Sequence, residues 1–215
     1  MTRKRRVLVT GACGYIAQRI WAELTTRYEI TALDASPHTA TGQKVEDVIV
    51  CDLTDSNRNL YGKYFEGIDA VIHCSYRAAP GESGSNADIT ANTDAQFFAE
   101  HANLSMAYNV YRCASEAAVS RVVVASSNHA ADYYERLIWE DRLEHVTPTM
   151  APRSDNFYGW AKASYELLGF VFASGQCGER ALEVVQLRIG APRDHADLDH
   201  LREGSGVIEC AALLF

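Results

Sequence analysis

Tyr158 and Lys162 stand four positions apart in the segment Tyr158-Gly159-Trp160-Ala161-Lys162. On a helix that spacing puts both side chains on one face, a turn apart. A free phenol has a pKa of about 10, and an ammonium within reach favours the phenolate, so such a pair can take up a hydroxyl proton near neutrality. This is general-base chemistry, with Tyr158 as the base and Lys162 as the group that tunes it. Pairs that merely pack share the same spacing, so the reading needs a second polar group at the same place. Ser126-Ser127-Asn128 supplies a hydroxyl directly after the apolar run 121–125. The end of such a run is the edge at which open parallel sheets bind ligands.

A second constellation lies near the N-terminus. Gly11-Ala12-Cys13-Gly14-Tyr15-Ile16-Ala17 falls between a short β-branched run and a segment of helical period. Glycine there lets the backbone turn tightly and approach a pyrophosphate at a helix N-terminus, while a small Ala17 keeps helix and strand close. Asp34 closes the second β-branched run twenty residues after Gly14, the position from which a carboxylate accepts both adenosine ribose hydroxyls. The same charge repels a 2′-phosphate, and Ala35-Ser36-Pro37 provide no arginine to hold one. NAD is therefore expected in preference to NADP. Asp52 and Leu53 follow the third run, where the adenine edge would lie. His73-Cys74-Ser75 end the fourth, on the path of the diphosphate and ribose. His73 itself reads as a satisfied core histidine. A carbinol carbon gives up hydride only as its hydroxyl proton is removed, so base and nicotinamide must converge on one carbon.

The elements that would bring these groups together alternate. Residues 6–10, 29–34, 48–51, 70–74, 121–125 and 181–187 read as strands, and 15–26, 94–118 and 158–174 as helices. That alternation predicts an α/β, Rossmann-type doubly wound parallel sheet with helices on both faces, and 121–125 as a wholly buried strand. Residues 131–157 are polar and carry Pro148 and Pro152. They read as a surface excursion over the site, with a short helix near 134–143. After Gly190 the pattern dissolves into an acidic, irregular tail that ends in Ala211-Ala212-Leu213-Leu214-Phe215, an exposed apolar patch unless something covers it.

Composition narrows the function classes. The 215 residues are 47% hydrophobic and 22% charged, enough for one ordinary core and too apolar for a disordered chain. A formal charge of −8 disfavours a nucleic-acid partner, which needs a cationic footprint. No apolar run reaches the roughly 18 residues that cross a bilayer, and Arg3-Lys4-Arg5-Arg6 leads into a segment too short for a signal-peptide core. A cytoplasmic protein without a membrane partner is expected. The cysteines (Cys13, Cys51, Cys74, Cys113, Cys177, Cys210) form no C-x-x-C pair and read as reduced and mostly buried. His195, Asp197, Asp199 and His200 have spacing that allows a metal, but no second cluster accompanies them, and no metal site is assigned.

Taken together, the glycine turn, Asp34, Ser127 and Tyr158-x-x-x-Lys162 resemble the extended short-chain dehydrogenase/reductases, the branch of NAD-dependent epimerases, dehydratases and sugar dehydrogenases. The resemblance covers about 7–190. Ala17 stands where the branch has its final glycine, and Asn103 with Asn109 matches its paired-asparagine helix motif. It implies Ser127, Tyr158 and Lys162 as catalytic residues, Lys162 also meeting the nicotinamide ribose. It implies contacts to NAD from Gly11, Cys13, Gly14, Tyr15, Ile16, Asp34, Asp52, Leu53, Cys74, Ser75 and Asn103.

Ser126-Ser127-Asn128-His129 and Arg188-Ile189-Gly190 are similar to motifs of uronate dehydrogenases, which oxidise a hexuronic acid at its anomeric carbon. That likeness implies Ser75, Ser127, Asn128, His129 and Arg202 around a sugar or sugar acid, although Ala191 replaces a carboxylate-binding serine. Extended members continue into a substrate lobe, so 1–190 is expected to form the NAD-binding domain and 191–215 a short remnant of that lobe. The resemblance further implies a homodimer paired through the helices at 94–118 and 158–174. An NAD-dependent sugar dehydrogenase is the expectation. An epimerase or dehydratase returning the hydride, and a non-catalytic NAD-binding sensor, are the alternatives.

Overall fold

The computed structural model describes residues 3–80, 89–178 and 180–190, and the backbone of 212–214. Six strands run parallel: β1 (Arg6–Thr10), β2 (Glu29–Asp34), β3 (Val48–Val50), β4 (Ala70–His73), β5 (Arg121–Ser127) and β6 (Glu183–Ile189). The sheet order is β3-β2-β1-β4-β5-β6, closed by β7 (Ala212–Leu214). The order turns back between β1 and β4, and a crevice opens at such a switch point beyond the strands' C-terminal ends.

Alternation along β1 shows how the sheet is sandwiched. Val7 and Val9 pack with Ala12, Ala17 and Leu24 on the face covered by α1 (Tyr15–Arg27). Leu8 points the other way, into a core with Val71, Val122 and Val184. That second face is covered by α2 (Asp94–Glu116) and α4 (Phe157–Ala173), through Met106, Val110, Tyr111, Ala161, Tyr165 and Phe172. A fully buried valine, leucine, methionine or phenylalanine among them contributes roughly 1.5–3 kcal/mol by leaving water.

Thr93 starts α2 by accepting the Gln96 amide at 3.1 Å, and Asn156 starts α4 by accepting that of Gly159 at 2.8 Å. No helix among the described residues is long and apolar enough to cross a membrane.

Three expectations are corrected. The sheet is mixed at its edge: β7 runs antiparallel to β6, pairing Leu187 with Ala212 and Val185 with Leu214. Part of the apolar tail is thus a strand, a pairing that the acidic stretch before it hid from periodicity. β5 runs on to Ser127, because Ser126 and Ser127 pair with Arg188 and Ile189. It is not wholly buried, since Arg121 is exposed and Val123 and Ala125 are half-buried. The excursion opens with a 3₁₀ segment, Asn128–Tyr134, that runs into α3 (Glu135–Trp139), so its helical part starts earlier and ends sooner than 134–143.

Candidate active site

The turn after β1 is built for close approach. Gly11 holds φ +69°, and a Cβ there would lie 2.5 Å from the Ser75 amide nitrogen, so only glycine lets this loop rest on the exit of β4. Gly14 caps α1, whose first turn carries no acidic residue, leaving the positive end of the helix free for an anion. Ala17 is fully buried against β1's core. At the end of β2, Asp34 accepts the Cys13 amide at 2.9 Å and the Ser36 amide at 3.2 Å. It ties the loop to β2 and keeps acceptor capacity on both oxygens.

Tyr158 lies in the first turn of α4, wedged against the 3₁₀ segment: a Cβ on Gly159 would come to 2.0 Å from the His129 carbonyl oxygen. A turn further on, Lys162 is 5% exposed, donates to the Ala125 carbonyl at 3.0 Å and lies 5.5 Å from the Tyr158 ring centre. Ser127, at the end of β5, accepts the His129 amide at 3.3 Å. α4 is fastened to this edge by a buried cluster in which Glu166 accepts from Ser126 at 2.8 Å and from Arg188 at 2.8 and 2.6 Å.

These groups face one cavity of about 960 Å³. One end is lined by Gly11, Cys13, Gly14, Tyr15, Ile16, Asp34, Asp52 and Leu53, and the other by Ser127, Asn128, His129, Tyr158 and Lys162, with Cys74 and Ser75 between. Its volume is at the upper end for small-molecule sites, the size an extended dinucleotide with a small second ligand needs. The loop without a Cβ, the unneutralised helix start and the Asp34 carboxylate fit NAD.

The electrostatics depart from the expectation. Burial raises the Tyr158 phenol above its ordinary range, the Ser127 hydroxyl opposes this by hydrogen bonding, and Glu100 and Asp132 add to the rise. The Lys162 ammonium donates to the Ala125 carbonyl and lies 4.9 Å from the Tyr165 ring centre, a little nearer than to that of Tyr158 at 5.5 Å. Burial in turn pulls Lys162 down to about 8, with Glu100 the first of the groups that oppose this. His73 bonds Thr10 through Nδ1 at 2.7 Å, and burial holds it down to about 3; it is a core histidine, but not the fully satisfied one expected, since its buried Nε2 has no hydrogen-bond partner among the described residues.

One residue expected at the cofactor stands elsewhere. Asn103 is fully buried and off the cavity wall. It accepts the Arg77 amide at 2.8 Å and donates to the Arg77 carbonyl at 2.9 Å, fixing the chain beyond β4. Its helix-motif partner Asn109 likewise donates to the Leu53 carbonyl at 2.9 Å and holds the loop after β3. Arg202, with Ala191 and the 195–200 histidine and aspartate group, lies outside the described residues.

Conversely, Tyr76, Arg77 and Met106 line the cavity without having been singled out. So was Asp132 passed over, which bonds the His129 ring at Nδ1 (2.5 Å) and accepts from Asn156 at 2.8 Å. Tyr76 directly follows Ser75, so its nearness to the cofactor path was the available signal. Asp132 offered only an i,i+3 spacing from His129.

A model of the NAD dependent epimerase/dehydratase family matches residues 7–177. Uronate dehydrogenase of Pseudomonas putida is 30% identical over 189 residues, 86% of this chain and 60% of that protein. L-arabinose 1-dehydrogenase (NAD(P)(+)) of Haloferax volcanii is 30% identical over 193 residues, 86% of this chain and 66% of that one. A crystal structure of a short-chain dehydrogenase/reductase superfamily protein from Agrobacterium tumefaciens with bound NAD superposes with a TM-score of 0.58 at 26% identity. It covers 86% of this chain and 48% of that one. The chain thus spans less than two thirds of the length of these two relatives.

Proposed function

Because the chain belongs to the NAD dependent epimerase/dehydratase family, we propose that it oxidises a carbinol of a sugar or sugar acid, with NAD as hydride acceptor. NAD, when bound, supplies the electrophilic ring carbon that takes the hydride. Gly11, Cys13, Gly14, Tyr15 and Ile16 would receive its diphosphate, Asp34 its adenosine ribose, and Asp52 with Leu53 its adenine. Ser127 donates a hydrogen bond to the substrate oxygen and Tyr158 takes its proton. Lys162 stabilises the phenolate once the site is filled and its ammonium is drawn toward the oxygen being deprotonated. In the unliganded chain the raised phenol stays protonated, so the base forms only when ligands complete the site.

Ser75, Asn128 and His129 are the proposed contacts to substrate hydroxyls. Asp132 sets the orientation of His129 by accepting at Nδ1. Residues 1–190 are proposed as the NAD-binding domain, with 191–215 a short C-terminal segment whose strand β7 extends the sheet. A cytoplasmic homodimer belongs to the same proposal.

The observation that carries the reading is the shared cavity: Ser127, Tyr158 and Lys162 at one end, the glycine turn and Asp34 at the other. Cofactor fluorescence during incubation with NAD and a panel of uronic acids, aldoses and nucleotide sugars, with product analysis, tests it. NADH accumulation with an oxidised product is expected. A product isomer without NADH would instead identify an epimerase, and neither outcome with any sugar would leave a cofactor-binding module.

A further inference from the structure

Glu100 is fully buried on the face of α2 that looks toward the end of β4. Every hydrogen bond to it among the described residues comes from an uncharged donor: Tyr76 hydroxyl at 2.8 Å, Gln96 amide at 2.8 Å and Asn103 amide at 3.2 Å. Gln96, Glu100 and Asn103 follow an i, i+4, i+7 pattern, so one helix face builds the pocket around this carboxylate. The Tyr76 ring reaches the catalytic end of the cavity. Its centre is 5.5 Å from that of Tyr158, edge to face, and 5.6 Å from Lys162 Nζ. A buried carboxylate and a buried amine thus share one aromatic neighbour.

The titratable groups around Lys162 are Glu100 from α2, His73, Cys74 and Tyr76 from β4 and the residues after it, and Tyr158 and Tyr165 from α4 itself. His73 is held neutral by burial, the Cys74 thiol is pushed up to about 11, and all three phenols are raised. Two further carboxylates lie nearby, but Glu166, one turn along α4, is held by Arg188, and Asp132 of the 3₁₀ segment is bonded to the His129 ring, which leaves Glu100 as the carboxylate with no cationic hydrogen-bond partner among the described residues.

We propose that Glu100 is a positioning residue: the buried carboxylate, pinned by Tyr76, that keeps Lys162 an ammonium beneath Tyr158. Without a nearby anion, desolvation drives a buried lysine toward the free amine. A free amine cannot stabilise a phenolate. Glu100 is itself raised to about 7 by burial, opposed first by the Tyr76 hydrogen bond and then by Lys162. The two groups therefore titrate as a pair. The inference rests on the reading of Lys162 as the partner of Tyr158.

The test uses the full chain without substrate or cofactor. Trace acetic anhydride labels only neutral amines, and peptide mass spectrometry across pH gives the labelling midpoint of Lys162 in wild type, Glu100→Gln, Glu100→Asp and Tyr76→Phe. Glu100→Gln is expected to lower that midpoint by about one pH unit or more. Glu100→Asp should restore most of the shift. Tyr76→Phe should lower the midpoint by less, because the carboxylate stays but loses a donor.

An unchanged Lys162 midpoint in folded Glu100→Gln overturns the proposal. If that variant does not fold, an unchanged midpoint in Tyr76→Phe does so. No sugar enters the measurement, so a chain that reduces NAD but shows no lysine shift refutes the role of Glu100 alone. A shifted lysine with no NAD reduction by any sugar refutes the dehydrogenase reading alone.

Discussion

Arg188 grips Glu166 through both ends of its carboxylate, Nε to Oε1 at 2.8 Å and Nη2 to Oε2 at 2.6 Å, and both side chains are almost fully buried. The pair joins the middle of α4 to the end of β6, and Ser126 adds β5 to the same carboxylate at 2.8 Å. The strand end that presents Ser127 and the helix that presents Tyr158 are thereby set against each other. Removing one member of a buried pair strands the other's charge, which typically costs about 3–5 kcal/mol. Glu166→Gln should therefore lower unfolding free energy by that order in denaturant titration. Glu166→Gln with Arg188→Met should recover part of the loss. Wild-type stability in the single variant would show that the pair carries no structural burden.

Tyr158→Phe removes the proton acceptor and leaves the glycine turn, Asp34 and the packing of the ring against Tyr76 in place. Turnover with an active sugar should fall by about 10³-fold or more, while NAD binding measured by calorimetry stays close to wild type. Turnover at the wild-type rate would remove Tyr158 from the chemistry.

Asp34→Ala deletes the anion that would repel a 2′-phosphate and also the acceptor of the Cys13 amide. NAD should bind more weakly and the preference over NADP should shrink. Asp34→Asn separates the two effects, because its side-chain oxygen can still accept from Cys13. Loss of preference in both variants assigns the discrimination to charge, whereas an unchanged NAD to NADP ratio in binding titrations rules that role out.

What the sequence made legible follows from how each signal is encoded. Val7-Leu8-Val9 and the Gly11 turn are local statements: a buried run declares a strand, and a backbone resting on Ser75 admits only glycine. Tyr158 and Lys162 share a face because helix geometry alone requires it. The hold of Asn103 on the Arg77 backbone could not be read, because that partner is 26 positions away and leaves no mark in the spacing. Glu100 and Tyr76 escaped for the same reason, since their contact spans 24 residues. β7 was missed because three residues pairing at a sheet edge, after an acidic stretch without period, carry too short a pattern to read. The acidity of Tyr158 departs from expectation because spacing places an ammonium one turn away but does not encode the burial that raises the phenol.

The depressed His73 makes a prediction about acid stability whose sign can be worked out. Burial lowers it from 6.5 to about 3 in the folded chain, so between those values the unfolded chain binds the extra proton. Stability then rises with pH across that window, and the contribution present above 6.5 is lost as pH falls, by up to about 1.4 kcal/mol per unit. Glu100 acts in the opposite sense, because a carboxyl raised to about 7 favours the folded state at low pH. It is common to wild type and variant and cancels in their difference. His73→Asn retains a polar group facing Thr10 and lacks the titration. Its unfolding free energy, measured by denaturant between pH 4 and pH 7, should fall less steeply toward acid than that of wild type. Parallel curves would mean that His73 is not held neutral by its burial.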